Sequence, residues 1–287
     1  MPSGLHAAQV TVVGLGLMGG SLAAALTARR ACRRVVGVAR REETVRQALA
    51  IGAIHAGTCD LAAGVGEADV VVLATPVRTI VELVGAVGPL LPHGCLLTDL
   101  GSTKQAVAQA MQALPPHVRP VGGHPMCGKE TAGLAAAEPS LYEGATYVLT
   151  PLARTDGEAL ALAQELVRAV GARPLLLDAS RHDALAAAIS HLPYLLAISL
   201  VATAEGLSDE AAWDVAAGGF RDTSRLAASE ERMMLDILLT NRAAVQGMLS
   251  RFQKQLARLA HLLETGDEVG LQAVMTAAAQ RRRRCYQ

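Results

Sequence analysis

Between Gln9 and Leu177 the chain sets short β-branched and aliphatic runs between stretches with helical spacing, a pattern that predicts parallel strands joined by crossover helices. The runs are Gln9 to Val13, Val35 to Ala39, Val70 to Ala74, Cys95 to Asp99, Val118 to Val121, Tyr147 to Thr150 and Pro174 to Leu177. Most lack polar alternation, as strands do when helices cover both faces of their sheet. The expected fold is therefore α/β, a doubly wound parallel sheet. Beyond Leu177 the texture changes. Ala, Leu, Arg and Glu dominate, and of the 12 prolines only Pro193 lies past residue 180, so an all-α C-terminal domain is expected. The predicted boundary lies at Asp178 to Arg181, giving domains 1–179 and 180–287. With no Gly/Ser-rich linker, the last strand should enter a long helix almost directly and the two domains should pack firmly.

Charge and composition narrow the function classes. Lys plus Arg and Asp plus Glu both number 26, so no global field favours nucleic acid or an anionic membrane. The first residues lack a basic stretch followed by an apolar one, and no apolar run approaches the roughly 18 residues that span a bilayer. A soluble, cytoplasmic protein is expected. The hydrophobic fraction, 51%, suffices for two cores. Five scattered cysteines without a CxxC pair read as reduced thiols, and Cys127, three residues after His124, reads as a small buried apolar residue rather than a nucleophile. No histidines and carboxylates share ligand spacing within a motif, so no metal is expected. The terminal RRRRCYQ reads as a solvated tail.

Gly14, Gly16 and Gly19 form G-x-G-x-x-G directly after the first strand, with Leu17 and Met18 opening the following helix. That placement is the dinucleotide fingerprint of a Rossmann-type domain: a tight turn, close approach of backbone to pyrophosphate, and a helix N-terminus facing the phosphates. Where an NAD site usually carries Asp or Glu at the end of the second strand, this chain has Ala39 followed by Arg40 and Arg41. Two guanidiniums suit a 2′-phosphate, so NADP is the expected cofactor, with NAD as the alternative. Glu42 and Glu43 next to them weigh the other way. Thr75 and Pro76, after the third long run, and Ser102, after the fourth, should border the cofactor at the carboxyl edge of the sheet. Ser102 with Gln105 also matches a capping box.

The fifth run leads into Gly122-Gly123-His124-Pro125, which places a histidine, the natural proton acceptor near neutral pH, at the same edge. An apparent pKa near 6.5 is expected for it.

Five motifs, GLGLMGGSLA, DLGSTK, GGHPMCGKE, SHLPY and GGFRDTSRLA, occur in an order that resembles the prephenate and arogenate dehydrogenases over nearly the whole chain. The first motif is shared with many hydroxyacid dehydrogenases, and the combination of the others carries the likeness. The resemblance implies oxidative decarboxylation of arogenate or prephenate with hydride transfer to the nicotinamide, in tyrosine biosynthesis. His124 matches the catalytic histidine, Ser102 the serine that orients it, and Arg225 the arginine that holds a substrate carboxylate. Arg221, four residues earlier, supports the same anion or pairs with a neighbouring carboxylate. His191 matches the first histidine of an HLPH motif whose second is here Tyr194, and Glu130 falls where some members carry an acidic gate. The wording of GFRDTSR and the two arginines look most similar to NADP-using arogenate dehydrogenases. A homodimer through the helical domain is implied. The rival readings are a β-hydroxyacid dehydrogenase, whose catalytic lysine motif is missing, and a dinucleotide-sensing regulator without turnover.

Overall fold

The computed structural model describes residues 4–129 and 131–285. The strands are β1 (Gln9–Val13), β2 (Arg34–Val38), β3 (Ala56–Thr58), β4 (Val70–Leu73), β5 (Leu96–Asp99), β6 (Arg119–Pro125), β7 (Thr146–Pro151) and β8 (Arg173–Leu176). They form one sheet in the order β3-β2-β1-β4-β5-β6-β7-β8. From β3 through β6 every pairing is parallel. β6 and β7 are antiparallel and β7 and β8 parallel, so the last two strands run against the rest. The sheet is thus mostly, not wholly, parallel as the sequence pattern suggested. β3 was not foreseen. Its three residues, Ala-Gly-Thr, carry no apolar run, and Gly57 is there because a Cβ would meet Val45 Cγ1 at 2.6 Å.

The connecting helices are α1 (Leu17–Ala28), α2 (Glu42–Ala50), α3 (Leu61–Val65), α4 (Val77–Val87), α5 (Gln105–Gln112) and α6 (Gly157–Ala169). Strand residues divide by parity between two cores, as a pleated strand requires. Val70 and Val72 of β4 join Leu22, Leu26, Leu162 and Leu166 on one face, while Val71 and Leu73 join Ile80, Val84, Val107 and Met111 on the other. Both faces are covered, which explains the unbroken apolar runs.

The rest is helical: α7 (Ala179–Ala186), α8 (Leu192–Glu205), α9 (Ala211–Asp214), α10 (Gly218–Ser224), α11 (Glu231–Thr240), α12 (Arg242–Glu264) and α13 (Glu268–Cys285). Two residues separate β8 from α7, and a π-turn, Ala187–His191, fuses α7 to α8. The resulting 27-residue helix, Ala179–Glu205, is long and apolar enough by composition alone to cross a membrane. No such run was expected, because His182, Asp183 and His191 interrupt the sequence. The helix buries all three. The arginine run expected as a tail forms the last turn of α13, where Arg282, Arg283 and Arg284 meet the negative end of the helix dipole. By compactness the chain divides into Met1–Arg242 and Ala243–Gln287, and the boundary expected near Asp178 falls within the first unit.

Candidate active site

The carboxyl ends of β1, β2, β4, β5 and β6 lie along one edge of the sheet, since these strands are mutually parallel. The turn after β1 shows why its three glycines differ. Gly14 adopts φ +103°, and a Cβ there would sit 2.6 Å from the Ala74 carbonyl. A Cβ on Gly19 would lie 1.9 Å from Gly14 O, so this position sets how closely α1 packs on the turn. Gly16, at the N-cap of α1, faces nothing within 4 Å. Its open side is where a pyrophosphate approaches the helix N-terminus. Thr75, just past β4, has a buried Oγ1 with no hydrogen-bond partner, a group that a bound ribose would satisfy. The turn therefore fits a dinucleotide. Met18 is half-buried, and its carbonyl accepts from the Tyr142 hydroxyl at 2.8 Å.

Past β2, Ala39 is half-buried while Arg40 and Arg41 are exposed, Arg41 as the N-cap of α2. The nearby Glu43 is spent within that helix, accepting from Arg46 at 2.7 Å and Gln47 at 3.0 Å. The arginines are thus not neutralised by it.

β6 runs two ways. Its first residues pair with β5, then it extends past the end of β5 and pairs with β7, His124 opposite Val148. The histidine lies within the strand rather than after it. Gly122 and Gly123 serve the protein's own packing, because Cβ atoms would meet Thr150 Oγ1 at 2.2 Å and Asp99 O at 2.5 Å. Asp99, at the end of β5, accepts from Gly101 N at 2.8 Å and Gly123 N at 3.0 Å and ion-pairs with Lys104. Lys104 is wholly buried and also donates to Gly123 O at 2.6 Å. Burial pulls its pKa down and Asp99 pulls it back up.

His124 meets groups that its sequence neighbourhood does not contain. Its Nδ1 is 2.8 Å from Nε2 of His182, whose Nδ1 is 2.8 Å from Oδ1 of Asp183. Asp183 also accepts from the backbone of Lys104 at 2.7 Å and of Gln105 at 2.9 Å, its two oxygens closing the first turn of α5. Burial would raise its pKa, but the hydrogen bonds from His182, Gln105 and Lys104 prevail and hold the carboxylate below its ordinary value. The capping box expected of Ser102 is therefore corrected. The N-cap is Lys104, and the capping group comes from α7, because a buried carboxylate satisfies two N–H groups where a serine hydroxyl satisfies one.

His124 is half-buried. Burial pushes its pKa well below 6.5, and His182, Lys104 and His191 push in the same direction. The ordinary value expected from the sequence is thus overturned. Cys127 is half-buried, and burial lifts its thiol to about 11, leaving it protonated.

The other predicted substrate residues divide. His191 is buried, with Nδ1 3.2 Å from Nδ2 of Asn241, and burial lowers its pKa to about 4. Asn241 Nδ2 also donates to the Asp183 carbonyl at 2.8 Å. Tyr194 is buried in an apolar cluster with Met234 and Ile237. Arg221 and Arg225 are exposed. α10 stops at Ser224 and Arg225 opens a short 3-10 turn, so the expected single helical face ends between them. Arg221 pairs with Asp222 at 3.6 Å, the bland alternative for that residue. Glu130 lies outside the described residues. Lys104, His182, Asp183 and Asn241 were not picked out. Only the adjacency of His182 and Asp183 hinted at a relay.

A dinucleotide turn and a hydrogen-bonded histidine on the same sheet edge define a nucleotide-dependent oxidoreductase. Residues 22–176 match the prephenate dehydrogenase nucleotide-binding domain and residues 178–277 the prephenate dehydrogenase dimerization domain. The chain is 35% identical to prephenate dehydrogenase of Bacillus subtilis over 266 residues, 91% of this chain and 72% of that one. It superposes with a TM-score of 0.88 on prephenate dehydrogenase from A. aeolicus in complex with hydroxyphenyl propionate and NAD+, at 30% identity, covering 96% and 97% of the two chains. With Synechocystis arogenate dehydrogenase the TM-score is 0.83, at 29% identity and coverage of 96% and 99%. The chain belongs to the prephenate dehydrogenase family.

Proposed function

We propose that this oxidoreductase converts arogenate to tyrosine, prephenate to 4-hydroxyphenylpyruvate, or both, with NADP preferred over NAD. The observation that carries the reading is His124, hydrogen-bonded to His182 and kept neutral at the carboxyl edge that also holds Gly16 and Thr75. A carbinol carbon becomes the product's phenolic carbon only if its hydroxyl sheds a proton as hydride leaves. The nicotinamide cofactor supplies the hydride acceptor. His124 takes the proton, and a base already neutral at pH 7 needs no prior ionisation. Ser102, on the turn between β5 and α5, orients substrate and base. Arg225 holds a carboxylate of the substrate, with Arg221, His191 and Tyr194 assigned to the same substrate. Carbon dioxide departs as the ring becomes aromatic.

The cofactor preference rests on Arg40 and Arg41, which stand exposed where a 2′-phosphate emerges, and on the absence of a carboxylate at Ala39 that would repel it. Division of labour follows residues 1–179 for the dinucleotide and 180–287 for substrate and dimerisation. A homodimer is supported by the match to a dimerization domain and by Leu185 and Ile189, exposed on the long apolar helix. The reading includes work in the cytoplasm.

The test is an absorbance assay of reduced cofactor with prephenate and with arogenate, each run with NAD and with NADP. Turnover that is fastest with arogenate and NADP is expected. No turnover with either acid would overturn the proposal.

A further inference from the structure

Three residues that no part of the chemistry touches lie between the two histidines of the site. Asp183 bonds His182, His182 bonds His124, and Asn241 bonds both the Asp183 carbonyl and His191. His182, Asp183, His191 and Asn241 are all buried. With the histidines neutral, their donor and acceptor inventory leaves a single consistent assignment of protons. The Asp183 carboxylate can only accept, so His182 Nδ1 carries a hydrogen and its Nε2 offers a lone pair. That lone pair requires a hydrogen on His124 Nδ1, which leaves Nε2 of His124 bare. At the other end, the Asp183 carbonyl can only accept, so it is the amide nitrogen of Asn241 that faces it. The second hydrogen of the same nitrogen points at His191 Nδ1, which must then be bare, with the proton on Nε2.

We propose that His182, Asp183 and Asn241 are positioning residues that lock the two histidines in opposite tautomers, His124 with Nε2 as proton acceptor and His191 with Nε2–H as donor. The inference rests on the reaction proposed above for its consequence, though not for its geometry. An imidazole left to itself prefers the proton on Nε2, the state in which His124 could not accept from a hydroxyl. The network therefore selects the minor tautomer where a base is needed. Asp183 does this while holding the N–H groups of the N-cap Lys104 and of Gln105, the first residue of α5, so the same carboxylate that fixes the base also fixes the turn carrying Ser102. Other charged groups around His124 are Lys104, itself paired with Asp99, and none of them bonds its ring.

The test joins a spectroscopic and a kinetic measurement on the full chain. Nitrogen-15 NMR of histidine-labelled protein should show His124 protonated at Nδ1 and His191 at Nε2. In His182→Phe, which removes the acceptor, His124 should move toward the Nε2–H form and kcat should fall about 10- to 100-fold, the usual cost of losing an orienting partner. The KM values for substrate and dinucleotide should stay within about threefold, since neither is touched. His182→Gln places an amide nitrogen toward Asp183 and an amide oxygen toward His124, so it should restore both the Nδ1–H signal and most of kcat. A folded His182→Phe with unchanged tautomer and unchanged kcat overturns the inference, as does His182→Gln behaving like His182→Phe. If the unaltered protein turns over neither acid yet shows the stated tautomers, the positioning stands and the proposed reaction fails.

Discussion

The turn after β1 and the cluster around His124 do comparable jobs by opposite means. In the turn, Gly14, Gly16 and Gly19 fall within six consecutive positions, and what matters is the side chains they lack. In the cluster, Asp99, Lys104, His124, His182, Asp183, His191 and Asn241 come from six elements or their ends, and what matters is which atom donates to which. The first is a steric device written locally. The second is an electrostatic device that exists only once α7 and the end of α11 have come together beside β5 and β6. Local devices tolerate neighbours and fail at a single position. Assembled ones distribute the risk but couple base strength, tautomer and helix capping into one unit.

The largest effect separates the two regions cleanly. His124→Asn should lower turnover about 10²- to 10⁴-fold, the worth of a positioned general base, while dinucleotide affinity measured by titration stays unchanged. Cys127→Ala should keep most activity. Loss of turnover in Cys127→Ala with retention in His124→Asn would transfer the chemistry to the thiol. A smaller effect belongs to the cofactor region. Replacing Arg40 and Arg41 with Ala should cut the ratio of kcat/KM for NADP over NAD by one to two decades, as a charge-assisted phosphate contact of about 1.5–3 kcal/mol implies. An unaltered protein that uses both cofactors equally would remove the basis for that assignment.

Within the turn, two alanine substitutions sharpen what "glycine" means there. Gly16 faces open space, so Gly16→Ala should fold with an unchanged Tm and raise the dinucleotide Kd about tenfold, some 1.4 kcal/mol. Gly19→Ala puts a methyl 1.9 Å from Gly14 O, so its first consequence should be a lower Tm, by about 1–3 kcal/mol of stability lost to overpacking. Calorimetry with and without cofactor distinguishes the two. A Gly16→Ala protein that is destabilised without cofactor would mean that its side is not open.

The contrast also explains what the sequence could show. β1 is found at its predicted limits and β2, β4, β5 and β7 within one residue at each end, because two-faced burial leaves continuous apolar runs; the edge strand β8 is as close although it is largely exposed. β6 runs to Pro125 rather than stopping at Val121, since Gly122 and Gly123 look like a turn until Thr150 and Asp99 are seen pressed against them. β3 is too short and too small in its residues to leave a pattern. His124 was legible as a candidate base, and its resemblance to a known motif named its role. His182 was not: a histidine preceding an aspartate on a helix looks like any hydrogen-bonded core residue, and only long-range packing brings it to His124. The same holds for Asp183, which caps a helix 79 residues back along the chain. Hydrogen-bond partners at such separations leave no periodicity to read.

The smallest expected effect concerns pH and tests whether the cluster acts as one unit. A general base must be deprotonated, so activity falls as pH drops through the folded pKa of His124. An ordinary histidine with pKa about 6.5 would be neutral in only about a quarter of molecules at pH 6. Burial, with His182, Lys104 and His191, holds His124 well below that value. The acid limb of kcat/KM should therefore lie below 6.5, with rates at pH 6 close to those at pH 7, a difference of a few-fold from the ordinary case. Stability should move over the same range. Between about 6.5 and about 4 an unfolded histidine binds a proton while folded His191 does not, and folded His124, held well below 6.5, adds to the difference from the top of that range, so the unfolded state holds more protons and stability declines as pH falls. Replacing His191 with Gln removes one of the groups responsible and should flatten the fall in Tm between pH 6.5 and 4. An acid limb centred at 6.5 or above, together with an unchanged slope in that variant, would show that His124 faces solvent like an ordinary histidine and that His191 is not buried neutral.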